Sequence, residues 1–294
     1  MMLSLLSRSV AVVIMLCIFR QAIGGKLLVI PTDGSHWLSM RPVVERLAQN
    51  GHKVVVLTGE SSLNIGESDL YTTKTFPIPY SKQHLVSVLE KFGRDHFNPS
   101  YIPAVTKFNS MREILKIVLK SCEILLSNTE LIQNVKDEKF DALLTDPFSM
   151  CGMILAEYLD VPNVNFLRGL PCALDYSSAQ CPNPFSYVPR VLTQYSDKMT
   201  FAQRVKNVLV MMLEPYYCGL SFLPWQKMAS NFLKKEVTLV QLFSRTSIWL
   251  LRYDFVFEFP RPVMPNMVFI GGINCKSKKH LHKMEVTGSA CVLW

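Results

Sequence analysis

Two residues in this sequence have the types and the placement that acid–base chemistry needs. His36 stands in the run Lys26-Leu-Leu-Val-Ile-Pro-Thr-Asp-Gly-Ser-His36-Trp37, where an apolar stretch stops at small and polar residues. Asp146 stands in Phe140-Asp-Ala-Leu-Leu-Thr-Asp146-Pro147, where a second apolar stretch stops in the same way. An imidazole can take a proton from a hydroxyl, and a carboxylate on its other nitrogen fixes the tautomer and stabilises the imidazolium that forms. Polar residues at strand ends also serve as plain caps and turns, so the spacing by itself leaves both readings open. A serine nucleophile elbow, G-x-S-x-G, is absent. So are the G-x-x-x-x-G-K-[ST] phosphate loop and the G-x-G-x-x-G dinucleotide turn.

The elements around these residues say how they would be held. Lys26 to Ile30 reads as a buried strand, followed by a tight loop and a helix beginning near Leu38, whose apolar residues Leu38, Val43, Val44 and Leu47 recur at helical spacing. Asn50-Gly51 closes that helix, and His52-Lys-Val-Val-Val-Leu57 reads as the next strand, with His52 as a helix-end or strand-entry residue. Strand, helix and strand in so short a span make a βαβ unit, which in one sheet is parallel and right-handed. A short strand is expected around Lys74 to Ile78. Helical periodicity runs over 81–92 and 105–135, with Phe108, Met111, Ile114, Leu115 and Val118 on one face, continued by Leu119, Cys122 and Leu125. Such helices cover a sheet, and a groove between them could hold an apolar ligand. Strands are expected around Ala142–Leu144, Val161–Leu167, Ser247–Asp254 and before Gly272. If all are parallel, His36 and Asp146 share the carboxyl edge of the sheet, where open α/β sheets bind ligands.

Composition bounds the remaining classes. The chain of 294 residues is 49% hydrophobic and 18% charged, enough to bury a sizeable core. Residues 1–25 carry Arg8, an apolar run from Val10 to Phe19 and the small residues Ala22, Gly24 and Gly25, the layout of a secretory signal peptide. No later stretch supplies a charge-free apolar run long enough to span a bilayer, so no anchor is expected. The formal charge is +8, but Arg8 and Arg20 leave with the leader and the tail after Cys275 carries three net positive charges, which leaves about +3 for the body. A nucleic-acid binder would instead show a basic stripe with interleaved aromatics. Seven cysteines remain after Cys17 is removed, an odd number without a C-x-x-C pair, so neither a disulfide framework nor a zinc site is expected. Cys291, fourth from the end, is not taken as a prenylation box, because a lumenal chain never meets the prenyltransferases. Residues 170–236 differ in character, with aromatics and methionines such as Phe201, Met211, Met212, Tyr216 and Trp225 flanked by Arg204, Lys206, Lys227 and Lys234. Two readings stay open there: a segment lying in a membrane interface, or a helical subdomain over a cleft.

Several blocks carry a resemblance. Gly25 through Met40, Phe140 through Pro147, Cys181-Pro-Asn-Pro-Phe-Ser-Tyr-Val-Pro-Arg190, and Trp249 through Gly272 with Pro260-Arg-Pro-Val-Met-Pro-Asn266 resemble vertebrate UDP-glucuronosyltransferases of the family-1 branch. The likeness runs from the leader to about Cys275, and its last block is highly specific. It implies an α/β chain with a Rossmann-like parallel sheet, the N-terminal, acceptor-binding half of a GT-B glycosyltransferase. By the resemblance, 1–25 is a signal peptide, 26–275 the acceptor domain, and 276–294 a divergent basic tail, expected to be disordered.

The same resemblance makes His36 the base that deprotonates an acceptor hydroxyl and Asp146 its partner, with Gly34, Ser35 and Trp37 shaping the loop near the acceptor. The implied acceptors are lipophilic hydroxylated small molecules. UDP-glucuronic acid is the co-substrate, and no metal or other cofactor is expected. Family homo- or hetero-oligomers, peripheral membrane contact through 170–236 and a place on the lumenal side of the endoplasmic reticulum are also implied. Without an anchor or a K-D-E-L signal, secretion is open to the chain. The family's donor motif, H-x-G-x-x-S, does not follow Asn274. The expectation is therefore an acceptor site with little transferase activity alone, active when a complementary half is supplied. The alternative is a non-catalytic binding or regulatory partner of full-length transferases.

Overall fold

A computed structural model describes residues 24–97, 103–167, 171–190, 195–252 and 258–273, together with Gly169 and Thr193. Residues 1–23 of the expected signal peptide and the expected basic tail, 276–294, lie outside the described residues.

Among the described residues seven strands form one sheet: β1 (Lys26–Ile30), β2 (Lys53–Gly59), β3 (Thr72–Phe76), β4 (Ala142–Thr145), β5 (Asn163–Leu167), β6 (Thr246–Leu251) and β7 (Met267–Phe269). Their order is β3-β2-β1-β4-β5-β6-β7, and every pairing is parallel. The apolar strand runs explain this arrangement. A parallel sheet is covered on both faces, so alternate residues of one strand must enter different cores. Leu28, Ile30, Val55, Leu57 and Leu143 enter one core, while Val29, Val54, Val56 and Leu144 enter the other.

Eight helices are described: α1 (Ser35–Gln49), α2 (Lys82–Phe97), α3 (Pro103–Ser127), α4 (Thr129–Asp137), α5 (Cys151–Leu159), α6 (Leu174–Ser178), α7 (Phe201–Leu233) and α8 (Leu239–Ser244). Helix α1 buries Trp37, Met40 and Val44 against the second core, and α5 buries Met153, Ile154 and Leu155 in the first. The helices that follow the adjacent strands β1 and β4 therefore leave to opposite faces. A crevice opens between the carboxyl ends of those two strands, the point at which such sheets bind ligands.

Several expectations need correction. Helix α1 starts at Ser35, not near Leu38, because Gly34 takes φ 75° and turns the chain directly into it. Strand β3 lies two residues earlier than expected, at Thr72–Phe76. The helical pattern over 105–135 is two helices, broken where the Asn128 side chain accepts the backbone N–H of Leu131 and caps α4. The expectation of no disulfide framework is also wrong: Cys122 is bonded to Cys151, and Cys172 to Cys218. These partners are 29 and 46 positions apart and meet only once α3 and α7 pack, so no sequence spacing announces them. Cys181 is a buried free thiol.

Residues 201–233 of the aromatic segment form the single helix α7, opened by a capping box of Thr200 and Gln203. Its inner side buries Asn207, Cys218, Trp225 and Ala229. Asn207 accepts from the Arg190 backbone and donates to the Phe185 and Val188 carbonyls, which docks the 181–190 block on the helix. Its outer side exposes Phe201, Val205, Leu209, Met212, Leu213, Tyr216, Leu220 and Leu223, a stripe at helical spacing. Among the described residues no helix is long and apolar enough to cross a membrane.

Beneath this block, Asp175 of α6 is 2% exposed, and Arg261 lies over the neighbouring Tyr176 ring. Burial pushes the Asp175 carboxyl up to about 6, against the opposing charge of Arg261. The folded state thus holds a proton that the unfolded chain releases near pH 4. Asp175 therefore adds stability in acid that is lost as pH rises through about 6. Asp175→Asn is expected to remove this dependence. Urea midpoints measured from pH 4 to 7.5 should fall with pH in the wild type and stay flatter in the variant.

Candidate functional site

The site begins with one pairing register. Ile30 of β1 lies opposite Thr145 of β4, and the next residue, Asp146, donates its backbone N–H to the Ile30 carbonyl at 3.3 Å. The Thr145 hydroxyl donates to that same carbonyl at 2.8 Å. Gly152 of α5 sits against this contact, where a Cβ would fall 2.1 Å from Thr145 Oγ1. Only glycine lets α5 close onto the end of β4, and that closure fixes where Asp146 points.

On the neighbouring strand, Gly34 turns the chain so that His36 lies in the first turn of α1. The two side chains meet: His36 Nδ1 is 2.6 Å from Asp146 Oδ2. The other carboxylate oxygen accepts the Phe148 backbone N–H at 2.9 Å. Asp146 is thus held from both sides, its side chain only 4% exposed against 35% for His36. A carboxylate only accepts, so neutral His36 donates its Nδ1–H and leaves Nε2 as the lone-pair nitrogen. The Phe148 ring stands at 5.3 Å from the imidazole and narrows its surroundings.

The imidazole borders a cavity of about 570 Å³. Its floor is the carboxyl ends of β1, β2 and β3 with Ile30, Leu57 and Phe76, and its walls are α2 and α3. Leu85, Val88, Leu89 and Phe92 of α2, and Met111, Ile114 and Val118 of α3, face into it. Helix α2 buries none of its residues, so its apolar face is spent on the cavity instead of on a core. The disulfide between Cys122 and Cys151 ties the α3 wall to the start of α5, just past Asp146. Closing a loop of this size contributes about 3.6 kcal/mol in the chain-entropy account.

The sequence-derived residues fall as follows. His36, Asp146, Gly34 and Ser35 converge at the cavity mouth; of these, His36, Gly34 and Ser35 line it. Trp37 does not: it is fully buried in the second core, edge-on to Tyr71. Sequence reasoning passed over Asp33, Gly152, Phe148 and Arg252. Arg252, just past β6, bonds the Ser35 carbonyl at 3.4 Å and the Ser39 hydroxyl, pinning the first turn of α1 from across the crevice. Only Asp33 had a visible signal, since it belongs to the same polar turn as His36.

Residues 25–289 match the sequence profile of the family described as UDP-glucoronosyl and UDP-glucosyl transferase. The chain belongs to this family. It is 46% identical to human UDP-glucuronosyltransferase 1A6 over 271 residues, covering 92% of this chain and 51% of that protein. It is 48% identical to mouse UDP-glucuronosyltransferase 1A1, covering 91% and 51%. The chain spans about half the length of these curated relatives. Among solved structures, the spinosyn forosaminyltransferase SpnP aligns at 13% identity and a TM-score of 0.45, covering 84% of this chain and 50% of that one.

Within this member of the family the contact of Gly152 with Thr145 is directly testable. Gly152→Ala should lower stability by about 1–3 kcal/mol, the usual cost of overpacking. Urea denaturation monitored by tryptophan fluorescence gives the value, and an unchanged midpoint would show that α5 can move away freely.

Proposed function

We propose that this chain is the acceptor-binding, N-terminal half of a GT-B UDP-glucuronosyltransferase. In this reading a lipophilic hydroxylated molecule lies in the cavity with its hydroxyl at His36 Nε2. His36 takes the proton as the oxygen attacks the anomeric carbon of UDP-glucuronic acid with inversion, and UDP departs. Asp146 holds the tautomer and stabilises the imidazolium. The observation that carries this is the 2.6 Å contact of His36 Nδ1 with Asp146 at the mouth of an apolar cavity of about 570 Å³. A base gives little acceleration unless donor and acceptor are aligned and the leaving diphosphate is stabilised. Residues 26–273 by themselves should therefore bind acceptor and turn it over poorly, and a donor-binding domain in cis or in trans should restore the rate.

The alternative reading is a non-catalytic binding or regulatory partner of full-length transferases. The two separate on one variant. With 1-naphthol, UDP-glucuronic acid and a supplied donor-binding half, His36→Ala should cut glucuronide formation by about a hundredfold or more, within the usual range for general-base loss, and leave naphthol affinity within about threefold. An effect on a full-length partner that survives His36→Ala would favour the partner role.

Acceptor class follows from the lining. The ionisable side chains among the lining residues are Asp33 and His36, with no lysine or arginine. A neutral naphthol should bind at least tenfold tighter than a naphthol carrying a distal carboxylate, because that anion would be desolvated without a partner. Equal affinities, measured by isothermal titration, would mean that acceptors bind elsewhere.

The outer stripe of α7 supports peripheral contact with a lumenal endoplasmic reticulum membrane. Eight apolar side chains are exposed along it, with Arg204, Lys206 and Lys227 on the same helix. Leu209→Glu with Leu213→Glu should lower co-sedimentation with anionic phosphatidylcholine–phosphatidylserine vesicles about tenfold or more. Unchanged sedimentation would assign the stripe to another surface, such as a family oligomer.

A further inference from the structure

We propose that Asp33 is a positioning residue, holding the His36 turn and the rim of the cavity as one unit; the proposal rests on reading the cavity as the acceptor site. Asp33 is the residue before the Gly34 turn, and its carboxylate reaches across to the loop that follows β2. Oδ1 accepts the backbone N–H of Gly34 at 2.6 Å and of Asn64 at 3.1 Å. Oδ2 accepts the Ser62 hydroxyl at 2.9 Å and the Leu63 backbone N–H at 2.5 Å. Four donors thus converge on one side chain, three of them backbone amides from two separate turns.

Only a carboxylate matches this set. Asparagine has one accepting oxygen and an NH₂ that would face further N–H groups, so isosteric exchange leaves donors opposed to donors. The bracket continues inward, since Ser62 Oγ accepts the Ile65 N–H at 3.3 Å and Ile65 belongs to the core that holds Trp37 and Tyr71. It also continues along the chain, since Gly34 is the residue from which α1 starts and His36 lies in the first turn. Asp33, Gly34, Ser35 and His36 from one turn, and Ser62 and Leu63 from the other, line the same cavity. Release of the carboxylate would free the His36 turn and the rim together.

The test uses the purified chain with ¹⁵N-labelled histidine, as wild type, Asp33→Asn and Ser62→Ala. Two readouts are taken: 1-naphthol affinity by fluorescence, and the ¹⁵N signals of the His36 ring, assigned with His36→Ala. In Asp33→Asn, naphthol affinity should fall at least tenfold, and the ring signals should shift from the single-tautomer pattern held by Asp146 toward an averaged one. Ser62→Ala removes one donor of four, keeps the amides, and should move both readouts the same way by a smaller amount, about threefold in affinity. Unchanged ring signals in both variants, even with a lowered melting temperature, overturn the proposal and leave Asp33 a stabilising loop bracket. If the wild type binds no naphthol, the acceptor reading fails, and the ring signals alone decide whether Asp33 positions His36.

Discussion

The parallel pairing of β1 with β4 is the constraint from which the rest of the site follows. Two strands far apart in sequence lie side by side, and the helices that leave them pass to opposite faces of the sheet. The main chain must therefore part above their carboxyl ends, and a residue in the first turn of α1 can meet the first residue past β4 across that gap. His36 and Asp146 are those residues. Their contact at 2.6 Å depends on the Ile30 carbonyl, which accepts both the Asp146 amide and the Thr145 hydroxyl, and on Gly152, which lets the next helix close down.

A second constraint shapes the cavity. The helices α2 and α3 have apolar faces like those of any helix that covers a sheet, yet much of those faces is turned to open space over the ends of β1 to β3. Turning apolar surface to a void forfeits part of the stabilisation that burial gives, on the order of 25 cal/mol per Å². The fold offsets this by fastening the wall covalently to the core, through Cys122 and Cys151. A wall held in this way can stay open without collapsing onto the sheet, and an apolar ligand that enters regains the lost burial.

Much of the architecture is written in local patterns. The strand runs of Leu28–Ile30, Val54–Leu57 and Leu143–Leu144 alternate between two buried faces, which requires parallel pairing and helical crossovers. The ends of those runs mark where His36 and Asp146 stand, so their common edge follows from topology alone. Helix boundaries were less legible. A positive-φ glycine moved the start of α1 back to Ser35, and a capping asparagine split one periodic stretch into two helices. Both are single-residue backbone effects that periodicity averages over.

By itself the sequence determined the fold class, the family and the two residues that share the carboxyl edge, because these rest on short-range patterning and on sequence blocks that folding leaves intact. The tertiary structure alone decided which cysteines pair, since Cys122 and Cys151, and Cys172 and Cys218, are brought together only by helix packing. It also decided that Trp37, adjacent to His36 in sequence, belongs to the core, because successive residues of a helix point about 100° apart. The apolar periodicity of α2 reads the same for a core and for a ligand cavity; only the packing of its neighbours, which stop short of filling the space, makes it the wall of a site.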